Sequence, residues 1–253
     1  MDQKIAVVTG AARGIGRAMA EAFSGEGYLV VGIDVDQEAL IAAADEIANF
    51  EAIVADVGDV SQIDSAFDRV AERHGRIDVL INNAGVTRRA DLLELTEEDW
   101  DRITRVNAKG AFFCLQRVAK VMIGQGSGRI VNISSVAARG YHRASNMIYA
   151  MTKGGLNTLT QMAAHRLGPH GITVNAICPG ITETEIYQGL IERDAVEQGI
   201  PVEEVKARQL ATVPIRRSNT TEEVAASALY LASDAARNVT GQTIYVDGGI
   251  TLI

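Results

Sequence analysis

The sequence predicts an α/β protein built on one parallel β-sheet, doubly wound, with helices on both faces. Three observations lead there. Short runs rich in β-branched residues recur along the 253 residues and alternate with longer segments of helical composition. The runs are almost continuously apolar instead of alternating apolar with polar, as strands covered on both faces must be. No proline-rich or low-complexity linker breaks the alternation, so no domain boundary is placed and residues 1–253 read as a single domain.

The strands are predicted at "KIAVVT" (4–9), "YLVVGID" (28–34), "EAIVADV" (51–57), "IDVLINN" (77–83), "GRIVNISS" (128–135), "GITVNAICP" (171–179) and "QTIYVDG" (242–248). Between them, "IGRAMAEAFSGEG" reads as a helix with a glycine stop, and "SQIDSAFDRVAERHG" as one with a serine cap and a glycine stop. Right-handed crossovers between parallel strands follow from this order. Two segments depart from the pattern. Residues 97–123 form one long helical stretch with Asn107-Ala108-Lys109-Gly110 in its middle, a predicted weak point. Residues 183–212 are helical in composition where a short loop would suffice, and an insertion after a strand's carboxyl end predicts a lid over a site.

Composition narrows the function classes. At 47% hydrophobic and 22% charged the chain can bury a full core. A net charge of −8 argues against nucleic acid, which needs a basic face. Lys/Arg runs stop at two residues (Arg88-Arg89, Arg216-Arg217), so an anionic membrane surface is not an expected partner. The opening "MDQKIAVVTGAARG" reaches glycine too soon for a signal-peptide core or a membrane span, and the expectation is a cytoplasmic protein. Cys114 and Cys178 stand alone in apolar settings and read as buried thiols of a reducing compartment. His74, His142, His165 and His170 lack metal-ligand spacing, so no metal site is expected.

The glycine-rich stretch "TGAARGIG" follows the first strand and opens the first helix. Glycines there let the backbone approach a pyrophosphate resting on the helix's first N–H groups. The spacing is not the usual G-x-G-x-x-G, and glycines in such a turn can also be plain geometry. Gly10, Arg13, Gly14, Ile15 and Gly16 are the candidate contacts. Asp34 closes the second strand, 18 residues after Gly16, where a carboxylate can accept from both ribose hydroxyls. Against a 2′-phosphate it would cost roughly 4 kcal/mol per unit charge at ~4 Å and an effective dielectric of ~20. Arg13 pulls the other way, since a guanidinium could meet that phosphate. The balance favours NAD over NADP; the alternative for Asp34 is a helix-start cap.

"TGAARGIG", "ADV" (55–57), "NNAG" (82–85), Asn107, Ser135, "YAMTK" and "CPG" stand in the order and spacing of the classical short-chain dehydrogenases/reductases, which the whole chain resembles through its terminal "GQTIYVDGG". The resemblance implies a Rossmann-like fold with seven parallel strands, a homotetramer, and nicotinamide-dependent oxidoreduction of a small molecule. It further implies adenine contacts from Asp56 and Val57, and a turn beside the adenine ribose from Asn83, Ala84 and Gly85. Pro179, Gly180, Thr182 and Thr184 resemble the segment holding the nicotinamide carboxamide. Asn107, Ser135, Tyr149 and Lys153 resemble the catalytic tetrad.

The chemistry explains why such a tetrad would suit hydride transfer. Oxidising an alcohol requires removal of the hydroxyl proton, and a free tyrosine with pKa about 10 is the wrong base near neutrality. Bringing it down needs roughly 4 kcal/mol, which one ammonium at ~4 Å supplies at a dielectric of ~20. Tyr149 and Lys153 are four residues apart, on one face of a helix. Lys153 could also hold the nicotinamide ribose, Ser135 could bind the substrate oxygen, and Asn107 could anchor a water that carries the proton onward. The plainer alternatives are a turn-capping serine and a solvated asparagine.

The substrate is read from loop 136–148, the residues after "NNAG", and the segment 183–212. Arg88, Arg89, Arg139, His142 and Arg143 put cations near the expected pocket rim of an acidic protein. They point to a polar substrate, a polyol, sugar or sugar acid, with an anionic group met by one arginine. "NAG" followed by paired arginines resembles dehydrogenases of aldonates and uronates. Arginines that are solvated or paired with neighbouring acids are the alternative. Two other functions stay open: a 3-oxoacyl thioester reductase using NADPH, and a dinucleotide-binding protein without activity.

Overall fold

The computed structural model describes residues 3–141 and 145–252. Its seven strands are β1 (Ile5–Thr9), β2 (Leu29–Asp34), β3 (Phe50–Val54), β4 (Val79–Asn82), β5 (Gly128–Ile133), β6 (Ile172–Pro179) and β7 (Thr243–Val246). All pair in parallel, in the order β3-β2-β1-β4-β5-β6-β7. β1 lies between β2 and β4, with Ala6 opposite Val30 on one side and Val79 on the other. The strand order reverses there, and the crevice outside the carboxyl ends at such a point is where α/β sheets bind ligands.

The apolar continuity of the strands has the predicted cause. Successive side chains of β1 enter opposite cores: Ile5 and Val7 pack on one face, Ala6 and Val8 on the other. Val7 and Val8 are both fully buried, each contributing about 1.5–3 kcal/mol. The first face is covered by α3 (Val60–His74), α5 (Ala111–Gln125) and α6 (Met147–Leu167). The second is covered by α1 (Gly14–Gly25), α2 (Gln37–Glu46) and α9 (Thr221–Ala232). Cys114 and Cys178 are free, buried thiols within these layers.

One helix start differs from expectation. The α3 cap is Asp59, whose carboxylate accepts from the Ser61 N–H at 2.9 Å, so the serine falls inside the first turn. The predicted stop at Gly75 holds, with φ at 69°, a conformation glycine adopts without penalty. The weak point is also present. α4 (Glu97–Thr104) and α5 are joined by a π-helical turn, Arg105–Gly110, with Asn107 buried at its centre. Asn107 binds the Val86 backbone as a strand would, accepting from its N–H at 2.8 Å and donating to its C=O at 3.0 Å. The wider π-helical turn and these bonds together fix the amide against the segment that follows β4.

A polar ladder crosses the buried sheet. Asn82 Nδ2 donates to Asn132 Oδ1 at 3.0 Å and to the Ala111 carbonyl at 3.1 Å, and Asn132 Nδ2 donates to Thr160 Oγ1 at 2.8 Å. The segment after β6 folds into α7 (Glu185–Gln198) and α8 (Val202–Leu210), with a small core of its own from Ile191, Ala195 and Val205. Among the described residues no helix is long and apolar enough to cross a membrane, and no His/Cys/Asp/Glu group could hold a metal ion.

Candidate active site

A cleft of about 1570 Å³ opens at the carboxyl ends of the strands, bounded by the glycine-rich turn, the β4 and β5 ends, α6, and the α7–α8 segment. At one end the turn is built by close approach. Gly10 has φ of 67°, and a Cβ on Gly16 would lie 1.9 Å from the Gly10 carbonyl oxygen. Asn83 stitches the turn to β4: its Nδ2 donates to the Thr9 and Gly10 carbonyls at 3.0 and 3.1 Å. Thr9 Oγ1 in turn accepts from the Asn83 and Ala84 N–H groups. No side chain caps the start of the 12-residue helix α1, which leaves its first N–H donors available to an anion. This bare helix end, reached by side-chain-free backbone, fits the pyrophosphate of a dinucleotide.

Gly10, Arg13, Gly14, Ile15, Asp34, Asp56, Val57, Asn83, Ala84, Gly85, Pro179, Gly180, Thr182 and Thr184 all line the cleft. Gly16 does not; it sits behind the turn, where its missing side chain lets the helix approach. Asp34 accepts from the Ala12 N–H at 3.0 Å and the Asp36 N–H at 3.1 Å. The cap of α2 is Asp36, not Asp34, so the capping alternative for Asp34 falls. Arg13 is held by Asp36 at 2.6 Å and reaches toward Glu185 at 3.7 Å. Asp56 is paired with Arg105 at 2.6 Å, and Thr184 also caps α7.

At the other end of the cleft Ser135, Tyr149 and Lys153 converge. Asn146 caps α6 by accepting from the Tyr149 N–H at 2.8 Å, fixing the helix turn that carries the phenol. Ser135 does two things: its hydroxyl accepts from the Ala137 N–H at 3.1 Å, and it stands beside the Tyr149 phenol, where it favours the phenolate. Lys153 is 4% exposed, and its Nζ donates to the Ile133 carbonyl at 2.7 Å. Asn107 stands one layer behind the cleft wall. A Cβ on Gly85 would touch both Lys153 Nζ (3.3 Å) and Asn107 Oδ1 (3.5 Å), so the two groups face one small space.

The electrostatics correct one expectation. In the polypeptide the Tyr149 phenol is pushed up, not down: burial raises it, and the neighbouring Ser135 hydroxyl only partly offsets that. Burial also brings the Lys153 ammonium down to about 8. Desolvation, which the i, i+4 spacing does not reveal, leads the shift of both groups. The ammonium nitrogen lies 5.6 Å from the phenol ring centre.

Below about pH 8 the folded chain holds a charged, dry ammonium, at about 3 kcal/mol relative to water. Between about 8 and the ordinary 10.5 the unfolded chain keeps a proton that the folded chain has shed, so this group's contribution to stability rises with pH in that window. Lys153→Met should therefore raise Tm near pH 7 while abolishing turnover. Urea midpoints measured from about pH 7 to 10 should show the gap between variant and parent closing. A variant less stable than the parent at pH 7 would contradict this.

The substrate candidates separate. Arg89 lines the cleft and pairs with Asp194 of α7 at 2.6 Å. Arg88 is held by Asp99 at 2.6 Å and by the Glu94 carbonyl at 2.9 Å. Arg139 is not on the cleft wall; its guanidinium lies over the Tyr245 ring, 5.4 Å from its centre. His142 and Arg143 lie outside the described residues. Tyr187, Asp194 and Gln209 line the cleft from α7 and α8, although none was singled out from the sequence. Tyr187 and Asp194 are seven residues apart, two helical turns on one face, which was the available signal.

Over residues 10–251 the chain matches the family model described as enoyl-(acyl carrier protein) reductase. It is 40% identical to a sorbitol dehydrogenase of Cereibacter sphaeroides over 98% of both chains. It is 39% identical to the 3-oxoacyl-(acyl-carrier-protein) reductase FabG of Thermotoga maritima, over 100% of this chain and 99% of that one. The solved structure of an actinorhodin polyketide ketoreductase variant with NADPH is 33% identical and superposes with a TM-score of 0.94, covering 100% of this chain and 98% of that one. With fold, turn and cleft in agreement, the chain belongs to the short-chain dehydrogenase/reductase family of oxidoreductases.

Proposed function

We propose that the protein is an NAD-dependent dehydrogenase moving a hydride to or from the secondary CH–OH carbon of a small polar substrate, a polyol, sugar or sugar acid. The carrying observation is the convergence of Ser135, Tyr149 and buried Lys153 on one wall of the cleft that also holds a dinucleotide cradle. Nicotinamide, when bound, supplies the hydride chemistry and, in its oxidised form, a positive charge. Ser135 binds the substrate oxygen, and the Tyr149 hydroxyl takes or gives the substrate proton. Lys153 supplies positive charge from the dry side and passes the proton toward the space it shares with Asn107. Because burial holds the phenol up, these residues alone leave Tyr149 protonated at neutral pH. Tyr149 would shed its proton with a further positive charge beside it, which oxidised nicotinamide would supply.

Asp34 supports NAD. Its two oxygens hold the Ala12 and Asp36 N–H groups at the end of β2, so the carboxylate is fixed on the cleft wall. Arg13 is already neutralised by Asp36 and is poorly placed to welcome a 2′-phosphate. Asp34→Ser should lower the NAD/NADP ratio of kcat/KM by about tenfold or more, by removing like-charge repulsion. An unchanged ratio would argue against NAD as the native cofactor.

A thioester reductase remains the second reading, because the FabG relative is as similar as the sorbitol dehydrogenase. The net charge of −8 and Asp34 favour the first reading, since an acidic carrier protein and NADPH both call for positive charge. Oxidation of neutral and carboxylated polyols, and reduction of a 3-oxoacyl thioester, each with both cofactors, tests it. Selective NADPH-dependent thioester reduction would overturn it.

A further inference from the structure

At the α7–α8 end of the cleft the arginine expected to meet an anion is already matched. Arg89 Nη1 lies 2.6 Å from Asp194 Oδ2, and the Asp194 side chain is 5% exposed. Gln209 Nε2 adds a longer contact to the same oxygen at 3.4 Å. Across the same helix face the Tyr187 hydroxyl is buried without a hydrogen-bond partner, although its residue lines the cleft. A buried orphan hydroxyl is destabilising, and a bound partner would recover that cost. Burial, with Glu183 and Asp194 nearby, pushes that phenol up to about 12, so it stays neutral and can both donate and accept.

The surrounding charges favour hydroxyl groups over a carboxylate. Arg193 and Arg208, also on the cleft wall, pair with Glu197 at 3.0 Å and Glu204 at 2.6 Å. Asp91, Glu94 and Glu197 line the same cavity. Arg102, which donates to the Thr87 carbonyl at 3.4 Å, is where an incoming carboxylate would have to go. Elsewhere on this wall, among the described residues, an anion meets like charge or arginines already matched by acids, whereas a hydroxyl can donate to a carboxylate and accept from the phenol.

We propose that Arg89, Asp194 and Tyr187 form a receptor for the distal hydroxyl groups of a neutral polyhydric alcohol and discriminate against the matching sugar acid. This rests on the dehydrogenase reading above and decides among its substrate classes, against the sugar acid expected from the paired arginines.

The experiment compares kcat/KM for sorbitol, gluconate and 2,3-butanediol, which has no distal hydroxyls, in the parent, Asp194→Asn and Tyr187→Phe. The parent should prefer sorbitol to gluconate by about tenfold or more. Asp194→Asn, which leaves Arg89 uncompensated, should lower that ratio by about tenfold. Tyr187→Phe should lower the sorbitol-to-butanediol ratio by about fivefold, the worth of one neutral hydrogen bond. Equal or better use of gluconate by the parent would overturn the proposal. So would variants that scale all three substrates alike, the signature of a purely structural role. Absence of turnover on all three would overturn the dehydrogenase reading and this proposal together, whereas turnover with unmoved ratios overturns this proposal alone.

Discussion

Tyr149→Phe should lower kcat on the order of a thousandfold, the scale of a lost acid–base group, with NAD affinity little changed. The phenol lines the cleft together with Ser135 and shares a helix face with buried Lys153. Removing its hydroxyl leaves the ring, the helix cap from Asn146 and the Lys153–Ile133 bond in place, so the loss falls on the proton step. Single-turnover kinetics with parallel titration of NAD binding would separate the two. A variant retaining more than about a tenth of parental kcat would mean that another group handles the proton. The parent's pH profile adds a second check. Because burial raises the phenol in the polypeptide, any fall in its pKa should be seen only when oxidised cofactor is bound, by titration of tyrosinate absorbance.

Gly16→Ala should be the most damaging methyl group that can be added to the nucleotide turn. The new Cβ would stand 1.9 Å from the Gly10 carbonyl oxygen and 2.5 Å from Asn83 Nδ2. Those atoms belong to backbone and to the Asn83 stitch, so the clash cannot be relieved by turning a flexible side chain. The start of α1 must move, and it carries the N–H donors of the cradle. The expected result is a loss of about 3 kcal/mol of stability, roughly 10 °C in Tm. NAD affinity should weaken on the order of a hundredfold, because ångström-scale misplacement of a binding group costs that much. Gly25→Ala, at the other end of α1 with no atom near its would-be Cβ, is the control and should be neutral or slightly stabilising. Equal behaviour of the two variants would show that the turn tolerates a side chain.

What was legible in the sequence follows physical range. Strand positions were visible because both-face burial writes a continuous apolar run, and a weak point was visible where Asn107-Ala108-Lys109-Gly110 interrupts a helix, although not that it is a π-turn. That Tyr149 and Lys153 share a face followed from their spacing, and that Ser135 joins them in one cleft followed from the resemblance to the family. The direction of the Tyr149 shift did not, because desolvation depends on atoms brought in from distant strands. Nor did the fates of Arg88, Arg89 and Arg139: their partners Asp99, Asp194 and Tyr245 lie 11, 105 and 106 residues away along the chain. Asp59 displaced the expected serine cap because either residue could open that helix and only the turn's geometry chooses.

The Asn82–Asn132–Thr160 ladder also bears on how the chain finds its alignment. Leucine or valine at those places would pack almost as well one residue out of step. Amides that must meet each other in a dry interior would not, since a slip of β5 against β4 would turn Asn132 to the opposite side and strand two unmatched amides. Central strands far apart in the chain are thereby keyed to one another, and misaligned pairings are penalised before the cleft above them is assembled.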